Sequence, residues 1–298
     1  MSLWDQRLGE GMIEGRFNRR ALALAAAIGG VAAGVLSVGA LVGAVPIGPS
    51  VQAQSLTVAL PPAASDRIYA SPSARGRPIV VLDPGHGGRD PGARGVATSV
   101  AEKDLTLLLA RELRDRLAER GRVRVAMTHN GGRSLSLDDR AAVARRLNAA
   151  MFVSLHMDSA ENPLARGASV YSLSDIASDA EAAALAASLN SDGERSSDGS
   201  VRALLSDLVM RAQMSASANL AMRMVGQSTG RFELRPDPHR FAAFHVLRRA
   251  GSPAVLFEAG YLSNVDDEAL LQSPGHRAAL VRALAQAIET DVAVRSTR

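Results

Sequence analysis

The sequence predicts an α/β fold in which a mostly parallel, twisted sheet carries helices on both faces. Short continuous apolar runs such as 79–82 and 151–155 read as buried strands. They alternate along the chain with stretches of helical periodicity, which is typical of parallel sheets covered on both sides. Aromatic residues make up only 3% of the chain, so Ala, Leu and Val must build the core.

The first half of the predicted domain alternates strand and helix. After the strand at 79–82, Asp83-Pro84-Gly85 must turn, because proline cannot donate to a sheet ladder and glycine tolerates positive φ. A helix opens at Glu102, has leucines at helical spacing and ends at Gly121. The remaining elements of this half are strands at 122–128, 151–155 and 168–173 and a helix at 137–149, opened by a Ser136 and Asp139 capping box.

Residues 175–231 interrupt this alternation and form a predicted helical insertion. Composition predicts a helix at 180–189, and a Leu/Met stripe at 201–224 marks one face of a second helix, about 40 Å long. Between them, 190–200 is polar and contains glycine, so we expect it to be mobile. The chain then closes with a buried strand at 253–258 and a helix at 276–292, which Asn264 and Asp267 are expected to cap.

The N-terminal stretch, residues 1–53, reads as an export signal or a membrane anchor. An arginine-containing flank precedes an uncharged run at 21–45, which exceeds the roughly 20 residues that span a bilayer. Small residues before Gln54 favour cleavage and a periplasmic product, and the alternative is an inner-membrane anchor facing the periplasm. Arg19-Arg20 resembles a twin-arginine signal, although the ordinary secretory route stays open. A linker at 54–77 and a catalytic domain at 78–298 are predicted to follow.

Composition narrows the possible partners. The net charge is +4, and its arginines are spread among acidic residues without a nucleic-acid-binding signature, so we expect no nucleic-acid partner. We expect a monomer that meets the membrane only through an uncleaved N-terminus. The chain has no cysteine, which excludes disulfides and thiolate metal sites. Any metal must therefore be held by histidine and carboxylate.

Four ionisable residues stand where predicted strands end or a helix begins: His86, Glu102, His156 and Glu258. Parallel strands place their carboxyl ends at one edge, so these side chains can converge there. Two imidazoles and one carboxylate form a known catalytic zinc set that leaves a fourth position for water. Such a zinc lowers the pKa of its water towards about 7, and a nearby carboxylate can shuttle protons. The pattern indicates hydrolysis of an amide or ester.

Several ordered stretches carry a family resemblance: Asp83-Pro84-Gly85-His86-Gly87-Gly88, Asp90-Pro91-Gly92-Ala93, Glu102-Lys103, Ser136-Leu137 with Arg140, Ser154-Leu155-His156 and the run from Val255 to Asn264. Through them, about residues 78–291 resemble the zinc-dependent type-3 N-acetylmuramoyl-L-alanine amidases of bacterial cell-wall remodelling. The resemblance implies one zinc ion per chain, held by His86, Glu102 and His156, with Glu258 as the catalytic carboxylate. It also implies a peptidoglycan substrate, cut between N-acetylmuramic acid and L-alanine, and a role in daughter-cell separation.

Three residues depart from the family pattern. His129 stands where arginine is usual, and Met157-Asp158 follow His156 where a small residue and asparagine are common. These departures bear on the shape of the cleft rather than on the ligands. Two other functions stay open: a catalytically inactive relative that binds wall fragments, which the presence of all four site residues disfavours, and a zinc peptidase acting on another amide.

The resemblance further implies regulation through the insertion. Relatives with a comparable insertion are held inactive by a helix over the metal cleft and are switched on by a coiled-coil-containing activator. A carboxylate of the insertion can occupy the open zinc position, and the candidates are Glu181, Asp192 and Glu194. The sequence does not choose among them. The alternative is that the insertion simply extends the core.

Overall fold

The computed structural model describes residues 67–191 and 201–297, which belong to one compact unit, Leu60–Arg298. The predicted export signal, most of the linker and residues 192–200 of the predicted mobile stretch at 190–200 lie outside the described residues. Within the described part of the chain, no helix is both long and apolar enough to cross a membrane.

The strands of the described residues are β1 (Ile68–Tyr69), β2 (Ile79–Pro84), β3 (Arg124–Met127), β4 (Met151–Asp158), β5 (Ala168–Leu173), β6 (Leu234–Ala242) and β7 (Ala254–Tyr261). The α-helices are α1 (Glu102–Arg120), α2 (Leu137–Arg146), α3 (Ala180–Leu189), α4 (Val201–Ser228), α5 (His245–Arg249), α6 (Val265–Gln272) and α7 (Pro274–Ser296). A short 3₁₀ helix at Pro72–Ala74 follows β1.

The strands form one sheet in the order β1-β3-β2-β4-β7-β5-β6. Four neighbouring pairs are parallel, while β1 with β3 and β5 with β7 are antiparallel. Apolar side chains of α1, α4 and α7 cover one face, and those of α2, α3 and α5 cover the other. The predicted class, a mostly parallel sheet with helices on both faces, is confirmed.

The sheet begins earlier in the chain than predicted. β1 lies within the predicted linker at 54–77, and Ile68 and Tyr69 pair with β3 at the edge of the sheet. A two-residue strand is too short to show any periodicity, so the sequence pattern gave no sign of it. The ordered domain therefore includes residues before 78.

Strand β6 was not predicted at all. Its sequence contains Pro236 and Pro238, which cannot donate to a ladder and argue against a central strand. The structure places β6 at the outer edge of the sheet, beside β5, where proline is tolerated. This edge strand carries Arg235 and Arg240, which face α3.

The two helices of the insertion form as predicted, and α4 continues to Ser228. The stripe on α4 packs in the core only towards its C-terminal end, where Leu220, Ala221 and Met224 are buried. Nearer its N-terminal end, Leu208 and Val209 are exposed. The insertion thus both extends the core and presents apolar side chains to solvent.

The predicted capping of the closing helix is wrong. Asn264 caps the short helix α6, accepting from the backbone N–H groups of Asp266 and Asp267. The Asp267 carboxylate instead accepts from the backbone N–H groups of Gly167 and Tyr261. Asp267 therefore ties the start of β5 to the end of β7, a tertiary contact that the local sequence does not reveal.

Candidate metal centre and active site

Three predicted ligands converge in one buried group. One potential ligand atom from each of His86, Glu102 and His156 lies within 4.8 Å of the others. Glu102 sits between the two imidazoles, with Oε2 3.0 Å from Nε2 of His86 and Oε1 2.9 Å from Nδ1 of His156. The rings meet edge to face, with centroids 5.1 Å apart. The ring nitrogens and carboxylate oxygens therefore point towards one small volume.

Tight backbone turns make this convergence possible. His86 has a φ of 60°, in the left-handed region that non-glycine residues rarely occupy and that functional sites often require. A Cβ atom on Gly85 would lie 2.4 Å from the His156 ring, and one on Gly92 would lie 2.5 Å from Oε2 of Glu102. Glycine at both positions lets the loop after β2 approach the other two ligands.

His156 and Glu258 are not at strand ends, as the sequence suggested, but inside β4 and β7. The sheet register pairs them directly as cross-strand neighbours. Since directly paired residues point to the same face of a sheet, Glu258 stands beside a proposed ligand without belonging to the ligand group. The site residues are thus brought together by the register between β4 and β7 as well as by the common carboxyl edge of the strands.

Asp90 holds the side chain of His86, a predicted ligand, and sequence reasoning missed this role. Its Oδ2 lies 2.7 Å from Nδ1 of His86, and its Oδ1 accepts from the backbone N–H of Gly92 at 3.0 Å. A carboxylate on the far nitrogen fixes the tautomer and orientation of a ligating imidazole. The available signal was its place four residues after His86 in a glycine-rich loop.

A buried polar network holds the loop after β2 from behind. Arg140 donates to Oδ1 of Asp83 at 2.9 Å and to the carbonyls of Pro84 and His86 at 2.7 and 2.6 Å. Burial alone would raise the pKa of Asp83, but Arg140 and the Thr128 hydroxyl lower it, so the pair stays charged. His129 contacts the same turn, with Nε2 2.9 Å from the Pro84 carbonyl. His129, which stands where the family usually has arginine, therefore helps to hold this loop.

The donor set fits zinc. Burial alone would lower the pKa of His86, but Glu102 and Asp90 raise it to about 9 in the metal-free protein. Burial would raise the pKa of Glu102, yet the two histidines hold it well below its usual range. The site thus offers one anionic oxygen and two imidazole nitrogens, a donor set that suits Zn²⁺. A metal ion must displace the proton between Glu102 and His86, so binding releases protons at neutral pH.

Two further carboxyl groups lie beside the ligand group. Glu258 and Asp158 are buried, and each has one oxygen with no hydrogen-bond partner among the described residues. Burial, Asp158 and Glu102 raise the pKa of Glu258 well above its ordinary value. Burial also raises the pKa of Asp158. A buried carboxyl group with a raised pKa suits general acid–base chemistry.

The three predicted ligands, Asp158 and Glu258 line one open cavity of about 1090 Å³. Helix α3 forms part of the wall of this cavity. The α3 residues that line it include Glu181, Leu185 and Leu189. Glu181 does not join the ligand group: Arg235 donates to both of its oxygens, at 2.5 and 2.9 Å. The other two candidate blocking residues, Asp192 and Glu194, lie outside the described residues.

The fold and this cavity define an amidase catalytic domain, and comparison with known proteins agrees. Residues 80–290 match the Amidase_3 family, described as N-acetylmuramoyl-L-alanine amidase. The chain belongs to this family, and the resemblance read from its motifs is confirmed. The protein is an enzyme of the N-acetylmuramoyl-L-alanine amidase class.

The relatives cover most of the catalytic region. The chain is 33% identical over 230 residues to AmiA of Escherichia coli K12, which covers 74% of this chain and 79% of AmiA. It is 33% identical over 220 residues to AmiC of Neisseria meningitidis, covering 72% of this chain and 52% of AmiC. The chain thus spans about half the length of that longer relative.

Solved structures share the fold. The catalytic domain of CwlV from Bacillus (Paenibacillus) polymyxa is 26% identical, with a TM-score of 0.52, over 71% of this chain and 96% of that domain. The CwlD amidase from Clostridioides difficile, solved in complex with the GerS lipoprotein, has a TM-score of 0.54 at 22% identity. It covers 73% of this chain and all of that one, and it supports the fold alone.

Replacing Glu258 by glutamine should stabilise the metal-free protein at neutral pH. The raised pKa means that the folded state binds a proton more tightly than the unfolded chain, so the wild-type carboxyl costs stability above its unfolded pKa of about 4.3. We expect the Glu258→Gln variant to have the higher Tm at pH 7.5, by about 2–4 °C for each kcal/mol that the substitution adds to the free energy of unfolding. The difference should shrink as the pH falls towards 4.5.

Thermal unfolding of both metal-free proteins across this pH range measures the effect. Glu119→Gln is the matched control, because Glu119 is exposed and its surface ion pair contributes little. An advantage for Glu258→Gln that grows at low pH would contradict the raised pKa of Glu258.

Proposed function

We propose that the protein hydrolyses peptidoglycan with one bound zinc ion, cutting the amide between N-acetylmuramic acid and L-alanine during wall remodelling and daughter-cell separation. The observation that carries this proposal is the buried group of His86, Glu102 and His156 beside Glu258 in an open cavity. Membership of the amidase family supports the same bond.

In the proposed reaction, each site residue has a separate role. A zinc ion, when bound, polarises the scissile carbonyl and acidifies a water molecule. His86, His156 and Glu102 hold the ion, and Asp90 keeps the His86 ring turned towards it. Glu258 accepts a proton from the attacking water as oxygen adds to the carbonyl carbon. It then gives a proton to the nitrogen as the C–N bond breaks, which releases the L-alanine amine.

Substitution should separate the proton shuttle from the ligands. We expect Glu258→Gln to keep nearly stoichiometric zinc and lose turnover, while His86→Ala loses zinc and turnover together. Zinc content is measured by elemental analysis, and products of digested sacculi by mass spectrometry with and without a chelator. His276→Ala, which removes a histidine outside the cavity lining, is the control.

The products also test the alternatives. Free stem peptides beginning with L-alanine support the amidase, unchanged sacculi would indicate an inactive wall-binding protein, and cuts within the peptide would indicate a peptidase. Zinc lost from Glu258→Gln, or retained in His86→Ala, would show that the roles are assigned wrongly.

We also propose that α3 restrains the enzyme until a partner displaces it. α3 forms a wall of the catalytic cavity and is tied down at both ends. Asp179 and Glu181 pair with Arg240 and Arg235 of β6, and the Asn190 side chain bonds to the backbone of the segment after β6. An activator must bind the displaced state better than the closed one.

The partner we propose is a coiled-coil-containing activator. The exposed side chains of Leu208 and Val209 on α4 support an apolar contact of this kind. If a carboxylate blocks the metal in the closed state, Glu181, Asp192 and Glu194 remain the candidates. Glu181 would first have to leave Arg235, because both of its oxygens are engaged there.

Deleting residues 179–200 should therefore raise activity on purified sacculi without any added partner, because the deletion removes α3 and its ties to β6. The control replaces 192–200 with a Gly/Ser segment of equal length and keeps α3. Release rates of dyed wall fragments compare the two variants with the intact chain. A folded, zinc-loaded deletion variant that is no faster would show that α3 only extends the core.

We propose that the mature protein acts in the periplasm, reached through the N-terminal segment. The charged flank and the uncharged run at 21–45 support export, by the twin-arginine or the ordinary route. Protein recovered from the periplasm should begin near Gln54 when sequenced from its N-terminus. A start at Met1 or Ser2 would favour an uncleaved anchor in the inner membrane.

A further inference from the structure

A two-pronged arginine–carboxylate pair lies in the wall of the catalytic cavity. Arg235 of β6 donates to both oxygens of Glu181 on α3, and the Tyr261 hydroxyl donates to Oε1 of Glu181 at 2.9 Å. The Arg235 guanidinium lies over the Tyr261 ring, 5.3 Å from its centroid. Tyr261 follows Glu258 on β7 and pairs in register with Asp158, which lines the cavity. Arg235 does not line the cavity itself but lies behind Glu181, against Tyr261, the register partner of Asp158.

The pair has the geometry of carboxylate recognition. A planar guanidinium that donates two parallel N–H groups matches a carboxylate in distance and direction. The Arg235 side chain is only 17% exposed. Arg235 lowers the pKa of Glu181, so the carboxylate stays ionised. Arg240 adds a second positive charge, 3.5 Å from the other Glu181 oxygen.

Displacing α3 would leave Arg235 without the carboxylate that pairs with it in the described structure. A half-buried guanidinium that loses its partner is costly, and the arrangement favours another carboxylate at the same place. The substrate can supply one. The muramic acid carboxyl is consumed in the scissile amide, so the free carboxylates near this bond belong to the stem peptide.

We propose that Arg235 binds a free carboxylate of the stem peptide, and that Glu181 takes the place of this carboxylate while α3 is closed. The inference rests on the proposed function, since it requires an amidase whose α3 moves. It gives Glu181 a role different from a zinc ligand, because its carboxylate competes with substrate at Arg235. It also places the peptide side of the substrate at the β6 edge of the cavity.

The competing explanation is that the Arg235–Glu181 pair only holds α3 against β6. The two explanations predict different effects of replacing Glu181 and of replacing Arg235. If the pair only holds α3, removing either partner releases the helix, and Glu181→Gln and Arg235→Gln should raise activity alike. If Arg235 binds substrate, Glu181→Gln should raise activity, whereas Arg235→Gln should raise KM.

The decisive test uses the chain that lacks residues 179–200, in which a tether has nothing left to hold. In this background we expect Arg235→Gln to raise KM about tenfold, the equivalent of a charge-assisted hydrogen bond, and to leave kcat within about twofold. Arg235→Lys, which keeps the charge but not the planar fork, should fall between. Arg116→Ala is the matched control, since Arg116 is a surface arginine on α1 paired with exposed Glu119.

Binding supplies a second readout that does not depend on turnover. Calorimetry measures the affinity of the zinc-loaded deletion variant for free stem peptide and for the same peptide with its carboxylates amidated. Arg235→Gln should weaken binding of the acidic peptide about tenfold and leave the amidated peptide unchanged. Circular dichroism and zinc content confirm that each variant is folded and loaded.

The outcomes are distinguishable. If Arg235→Gln matches Arg116→Ala in KM and in peptide affinity, Arg235 is only a tether and the inference is wrong. If the deletion variant with Arg235 intact releases no stem peptide from sacculi, the proposed amidase function fails instead. A tenfold loss confined to the acidic peptide supports Arg235 as the residue that recognises the peptide.

Discussion

The site depends on the contacts that the Glu102 carboxylate makes with both histidines and with the backbone. One oxygen contacts His86 and accepts from the backbone N–H of Ala93, and the other contacts His156 and accepts from the backbone N–H of Met157. A single side chain at the start of α1 thereby joins the glycine-rich loop, the helix and the central strand β4. Because every one of these bonds favours the ionised form, the carboxylate stays charged although it is buried.

Around this anchor the protein keeps polar groups that the fold does not satisfy. Glu258 and Asp158 each bury an oxygen that has no partner in the part of the chain that the structure describes, which costs free energy unless something else supplies a donor. The Asp83–Arg140 network is the opposite case, since its buried charges are paired and hydrogen-bonded. The contrast separates the paired charges that hold the loop from the unpartnered carboxyl oxygens in the candidate site.

Helix α3 and edge strand β6 meet at the wall of the cavity, and the proposed regulation acts through this contact. The insertion follows β5, and β6 returns beside it with two arginines that face the helix. The same ion pairs that fix α3 over the cavity also keep those arginines from any other anion. In the mechanism we propose, displacing α3 therefore uncovers the cavity and frees Arg235 at the same time.

The sequence by itself determined the fold class, most strands and helices, the family, and the four residues of the candidate site, because continuous apolar runs, helical spacing and the His and Glu motifs are local patterns. It missed β1 and β6, since two residues show no period and prolines mask an edge strand. Only the tertiary structure decided that Glu258 neighbours His156 through register, that Asp90 orients His86, and that Glu181 meets Arg235. These contacts join distant segments or depend on a left-handed turn, and local sequence periodicity predicts neither of them.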